Sequence, residues 1–282
     1  MQAMAKNSTR SVLWLAFFAS ILLAWWTLYS MSSSMNMDLL GRMIMTDTHV
    51  GSMNKNMDIG METSMGTEAS KGMETSKSMD MPMTKFGSLF GMWAIMMAAM
   101  MLPTMVPTLT SYEDLMVSAD GTRAGWLGVI LGYITAWVAF AAIITAVQLS
   151  LLSYKAVDMM GAATSTLFSV ALLLASGAYQ FSRLKELCHG VCHSPMMYFV
   201  GHWKTGFSGG FRMGLGLGTF CIGCCTLFMV LGFVGGVMNF LWMGLATLFM
   251  VIEKLPQIGH RVTRPMGIIL IIAGIALAIS TY

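Results

Sequence analysis

The sequence predicts an all-α fold: a polytopic transmembrane bundle of about seven helices, interrupted by a disordered methionine-rich extracytoplasmic loop. Three observations carry this expectation. Hydrophobic residues make up 56% of the chain and charged residues only 10%, with a mean hydropathy of +0.69, a balance that belongs to membrane proteins. Apolar runs long enough to span a bilayer recur along the chain, separated by short polar stretches. The polar stretch 32–85 mixes Ser, Asp, Glu and Lys and is too short of aromatic and branched residues to fold alone. Three segments follow: an N-terminal anchor (1–31), the methionine-rich loop (32–85) and a six-helix metal-binding membrane domain (86–282).

The first apolar run, Val12 to Met31, follows Lys6 and Arg10 and ends near Trp25, Trp26 and Tyr29. Its length and aromatic end favour an uncleaved spanning helix over a cleaved signal peptide. In the loop that follows, methionine recurs from Met35 to Met83, together with His49. The whole chain holds 32 methionines, more than its 29 glycines. A thioether is a soft donor that needs no deprotonation, so this loop has the composition of a flexible Cu(I) trap. Drift in a low-complexity linker is the bland alternative.

The second run, about 86–108, carries Met92, Met96 and Met100 on one i, i+4 stripe and Met97, Met101 and Met105 on its neighbour. Such stripes serve packing as readily as ligation; the methionine loop upstream favours ligation by Met96, Met97, Met100 and Met101. Pro103 and Pro107 should break this helix and free backbone carbonyls. An acidic loop with Glu113, Asp114, Asp120 and Arg123 is expected next. Further helices are expected near 124–152, 162–182, 211–232, 237–252 and 265–279. Of these, the fifth helix of the bundle contains Gly214 and Gly218, a small-xxx-small pair suited to close helix approach.

All five cysteines fall between 188 and 225. Cys188 and Cys192, interleaved with His189 and His193, sit in a polar stretch read as a loop running from 183 to about 210. Cys221, Cys224 and Cys225 lie in an apolar helix, where their spacing places them on adjoining turns of one face, with Met229 one turn beyond. Thiolate, thioether and imidazole donors favour Cu(I) or Zn over hard cations, against the plainer reading of cysteine as a small apolar filler. An odd number of cysteines excludes complete intrachain disulfide pairing. Glu253 and Lys254 read either as an interfacial ion pair or, for Glu253, as an acceptor for protons released on ligation.

With the N-terminus inside, Lys6, Arg10, Arg123, Arg183, Lys185, Lys204, Arg212, Lys254, Arg261 and Arg264 all fall on the inner side, and Lys155 is the lone basic residue of a short outer loop. The methionine loop then faces out, and Cys188 to His193 face a reducing cytoplasm.

Trp93-x2-Met96-Met97-x-Ala99-Met100-Met101-x-Pro103, Tyr179-Gln180-Phe181-x3-Lys185-x2-Cys188-x3-Cys192-x2-Pro195, Gly223-Cys224-Cys225-x3-Met229 and Glu253-Lys254 resemble the motifs of a prokaryotic family of metal-binding integral membrane proteins of unknown function. The resemblance covers about 86–275 and implies a helical membrane fold that binds metal. The methionine loop, His189 and His193 lie outside the family's pattern, and the loop is what points to copper.

Two classes of function follow. One is a copper-handling protein of the prokaryotic inner membrane that binds, transports or delivers Cu(I). The other is a structural or assembly subunit of a larger membrane complex, such as a copper enzyme. The expected partners are lipid, the metal ion, and a copper enzyme or other membrane subunits, with no nucleic acid. No nucleophile and base pair or cofactor motif is present, so the chain is not expected to be an enzyme.

Overall fold

The computed structural model describes residues 2–34, 85–158, 161–237, 239–255 and 259–281, and among them the fold is helical throughout. Of the methionine-rich loop expected at 32–85, residues 35–84 lie outside the described residues, and 32–34 belong to the first helix. Helix α1 (Gln2–Ser34) continues past its expected end at 31. Helix α2 (Phe86–Met101) passes through a 3-10 turn (Pro103–Met105) into α3 (Val106–Ser118). The prolines thus convert one turn rather than ending the span: Pro103 opens the 3-10 turn and Pro107 lies in the first turn of α3, where the missing amide would have no helical partner. Glu113 and Asp114, expected in a loop, lie in α3. The buried Glu113 carboxylate accepts from Arg10 at 2.9 Å and from Arg123 at 2.7 Å, which ties α1 to this end of the bundle.

Helix α4 (Arg123–Ser153) starts where Thr122 accepts from the Gly125 amide at 3.1 Å. Then come α5 (Thr166–Tyr179), α6 (Arg183–His193), α7 (Pro195–His202), α8 (Gly206–Val230), the short α9 (Gly232–Gly235), α10 (Phe240–Glu253) and α11 (Gly259–Thr281).

Among the described residues, five helical stretches are long and apolar enough to cross a membrane: Thr9–Ser33, Phe86–Met116, Arg123–Ser153, Gly206–Gly235 and Arg261–Thr281. A sixth arises if α5 and α6, bent by 63°, are taken as one broken span. The expected count of seven is not reached among the described residues, where α10 is the shorter apolar helix. Its 14 residues reach only about 21 Å at 1.5 Å per residue, against a hydrocarbon core of roughly 30 Å. The stretch expected as a loop from 183 to 210 is mostly two helices, α6 and α7. Many outward side chains are large and apolar, among them Leu15, Leu22, Leu131, Leu245 and Ile272, which matches a surface that meets lipid rather than water.

Among the described residues, α4 and α8 share the most extensive helix–helix contact. Gly128 and Gly132 of α4 press on the carbonyls of Phe207 and Phe211, while Gly210 and Gly214 of α8 press on those of Gly125 and Val129. A Cβ at any of these positions would occupy the space of a backbone oxygen, so the helices approach only because these side chains are missing. Gly132→Leu is expected to cost about 1–3 kcal/mol and to lower the thermal midpoint of the detergent-solubilised protein. Gly91→Ala, where an added Cβ meets nothing within 4 Å, should not. An equal response from both would mean that close approach is not what holds this pair together.

Candidate metal centre

Four sulfurs converge where α6 crosses α8. On α8, Cys224 Sγ lies 3.2 Å from Cys225 Sγ, and Cys221 Sγ lies 3.9 Å from Cys225 Sγ. From α6, Cys192 Sγ comes to 3.8 Å from Cys224 Sγ. The sulfurs of Cys192, Cys221 and Cys224 all lie within 4.8 Å of one another, each buried. All five cysteines are free thiols.

Cys192, read from the sequence as part of a polar loop, thus joins the cysteines of α8 in one cluster. Residues 183–193 form a helix whose N-terminus is capped by Ser182, which accepts from the Leu184 and Lys185 amides at 3.1 and 3.4 Å. Glu186 in its first turn and His193 in its last complement the helix dipole. Lys185, Cys188, His189 and Cys192 are its buried residues, at i, i+3, i+4 and i+7, while Leu184 and Leu187 face outward. The face that packs on the bundle is therefore the one that carries the chemistry.

Three sulfurs each about 2.3 Å from one ion would sit about 4 Å apart in a plane, and the Cys192–Cys224 and Cys221–Cys225 separations of 3.8 and 3.9 Å are close to that. Sulfur donors without a carboxylate suit a soft monovalent ion better than Ca or Mg.

One ammonium adjoins the cluster. Lys254, just past α10, is buried and donates to Cys221 Sγ at 2.9 Å and to Thr104 Oγ1 at 2.8 Å. Thr104 sits in the 3-10 turn that Pro103 creates, and it donates onward to the Met101 carbonyl at 2.7 Å. The Tyr133 hydroxyl of α4 lies 3.0 Å from Cys221 Sγ. Glu253 does not pair with its neighbour Lys254. Its Oε1 instead lies 2.7 Å from Lys185 Nζ and accepts from Thr263 at 3.0 Å, so adjacent residues of opposite charge serve different partners.

The remaining sequence-predicted residues fall around this centre rather than in it. Cys188 Sγ rests against Gly223, where an added Cβ would come within 2.7 Å of it. The two methionine stripes of α2 part company. Met96 and Met100 meet Met229 and Met243 around a small void between α2, α8 and α10. Met97 and Met101 face Tyr133 and Trp137 of α4. His189 and His193 stack on each other with ring centroids 5.4 Å apart. They line a cavity on another side of α6, where His189 Nε2 lies 2.9 Å from the Glu253 carbonyl oxygen.

Sequence reasoning missed Thr104, Tyr133 and the partners of Lys254 and Lys185. The available signal was Glu253-Lys254 at the end of an apolar run, since charges at such a place in a membrane protein mark a paired or functional group.

Together these features define an all-helical, largely apolar protein with a buried soft-donor centre beside a single ammonium. A family profile described as a copper chaperone, PpoB2, matches residues 90–277, two thirds of the 282-residue chain. The chain belongs to this copper-chaperone family. Neither the curated proteins nor the solved structures yield a match.

Proposed function

We propose that the protein is an integral membrane Cu(I) carrier, not a catalyst, and that Cys192, Cys221, Cys224 and Cys225 hold the ion in transit. The observation that carries this reading is the meeting of Cys192 with Cys221 and Cys224 inside one 4.8 Å group, in a chain whose family is described as a copper chaperone.

Charge supports it. Two thiolates around a monovalent ion leave one negative charge, which is costly in an apolar interior unless matched. The Lys254 ammonium beside Cys221 supplies that match. Ligation releases the thiol protons. The number of thiolates sets how tightly the ion is held, and a carrier needs one or two sulfurs free to let go.

In this reading the methionine-rich segment gathers copper on the outer side of a prokaryotic inner membrane, with the N-terminus inside. Met96, Met100 and Met229, with Met243 beside them, and Met97 and Met101 offer weaker thioether donors along the way. Delivery is to a copper-dependent enzyme or another copper-binding protein, the role that the family's description supports.

Titration of the reduced, detergent-solubilised chain with Cu(I) tests the reading. The full chain should take up several equivalents. A variant lacking residues 35–84 should keep one tightly held equivalent whose X-ray absorption shows sulfur neighbours at the short metal–thiolate distance. A deletion variant that holds no copper would refute the buried thiol site, and one that matches the full chain in uptake would refute the trapping role of the loop.

A further inference from the structure

The helix α6, which brings Cys192 to the sulfur centre, lines a second feature with other residues. A cavity of about 420 Å3 is framed by the end of α5, one side of α6 and the start of α11. Its size is that of a small-molecule site rather than a protein interface. Buried polar groups are normally hydrogen-bonded, yet Gln180, which lines the cavity and is only 5% exposed, has neither its amide nitrogen nor its amide oxygen partnered. The buried Nδ1 of His193 is likewise without a partner.

The neighbouring His189 is oriented for use. A carbonyl only accepts, so its contact with the Glu253 oxygen fixes the proton on Nε2 and leaves Nδ1 as a lone pair, the pattern by which proteins orient a ligating imidazole. At the rim, Arg264 and Glu186 are exposed and also line the cavity. They present one cation and one anion, the complement of an amino-acid zwitterion.

We propose that this cavity docks a low-molecular-weight amino-acid thiol that exchanges Cu(I) with the sulfur centre, a role that rests on the copper-carrier reading above. Gln180 binds the amide or carboxylate of the carrier, and Arg264 and Glu186 take its charged ends. The paired imidazoles hold the ion as it changes sulfur. Cys192 is adjacent in sequence to His193 and reaches the cluster from the same helix. The exchange is redox-neutral. The bond from the carrier sulfur to Cu(I) breaks as the imidazoles lining the cavity take the ion, a bond from Cys192 Sγ then replaces theirs, and the Cys192 thiol proton passes to the departing carrier thiolate.

The test uses the full chain, reduced and metal-free in detergent. It is loaded either from the Cu(I) complex of glutathione or from that of 2-mercaptoethanol, which lacks the zwitterion. Protein-bound copper is measured after rapid desalting at timed intervals. Gln180→Leu and the surface variant Arg264→Met should each slow loading from the glutathione complex about tenfold, the scale of one hydrogen bond to a charged group. Loading from the mercaptoethanol complex and the final copper content should stay at wild-type values. Wild-type rates for both variants with glutathione, or equal slowing with both donors, would overturn the docking pocket while leaving the sulfur centre standing. A wild-type protein that takes copper from neither donor would bring down both readings.

Discussion

Cys224→Ser is expected to lower Cu(I) affinity about 100-fold or more, because losing a ligand outright exceeds the roughly 10–100-fold cost of disturbing a ligand's supporting contacts. Cys224 links the cysteines of α8 to the one on α6, with Cys225 at 3.2 Å and Cys192 at 3.8 Å. Serine keeps nearly the same shape but offers a hard oxygen in place of a soft sulfur, so the change addresses the donor and not the fold. Competition against a Cu(I)-specific chromophoric chelator measures the effect, with helicity by circular dichroism as the control. Cys188→Ser should change affinity far less, since the Cys188 sulfur rests against Gly223 rather than among the other sulfurs. A Cys224→Ser protein that competes as well as wild type would move the metal away from this cluster.

Lys185→Met should cost about 3–5 kcal/mol of stability, the penalty for leaving one member of a buried ion pair without the other. Lys185 Nζ and Glu253 Oε1 are 2.7 Å apart, with side chains only 1% and 3% exposed. The ammonium also lies 5.3 Å from the centre of the Phe228 ring. The double variant Lys185→Met, Glu253→Met should recover most of the loss, because removing both charges removes the desolvation penalty along with the attraction. Denaturant unfolding in detergent separates the outcomes. If the double variant is as unstable as the single one, the pair is doing more than cancelling two charges. The pair joins α6 to α10 immediately before Lys254, so its integrity also sets where the Lys254 ammonium stands relative to Cys221.

The helix carrying Cys188 and Cys192 shows why part of the site escaped sequence reasoning. An amphipathic helix is recognised by an apolar stripe, and the usual inference turns that stripe inward. In residues 183–193 the stripe of leucines faces outward and Lys185, Cys188, His189 and Cys192 are buried. That inversion is stable when lipid, rather than water, lies outside. A polar segment with charged edges therefore read as a loop, although Ser182 ahead of it and Glu186 in its first turn were helix-start signals in plain view.

Much else was legible locally. Composition together with the recurring long apolar runs predicted a helical, largely apolar chain, and the glycine spacing around 214 and 218 marked a face for close helix contact. The i, i+3, i+4 rule placed Cys221, Cys224 and Cys225 together, because neighbours along a helix are fixed by its pitch and need no knowledge of the rest of the fold. Only the tertiary structure decided which distant groups complete the centre. Cys192 is 32 positions from Cys224, and Lys254 is 33 from Cys221 and 150 from Thr104. Such pairings depend on how α2, α6, α8 and the end of α10 cross, and so does the choice between Glu253 pairing with Lys254 beside it or with Lys185. Helix crossing is set by the summed packing of many side chains, so no short stretch of sequence encodes it.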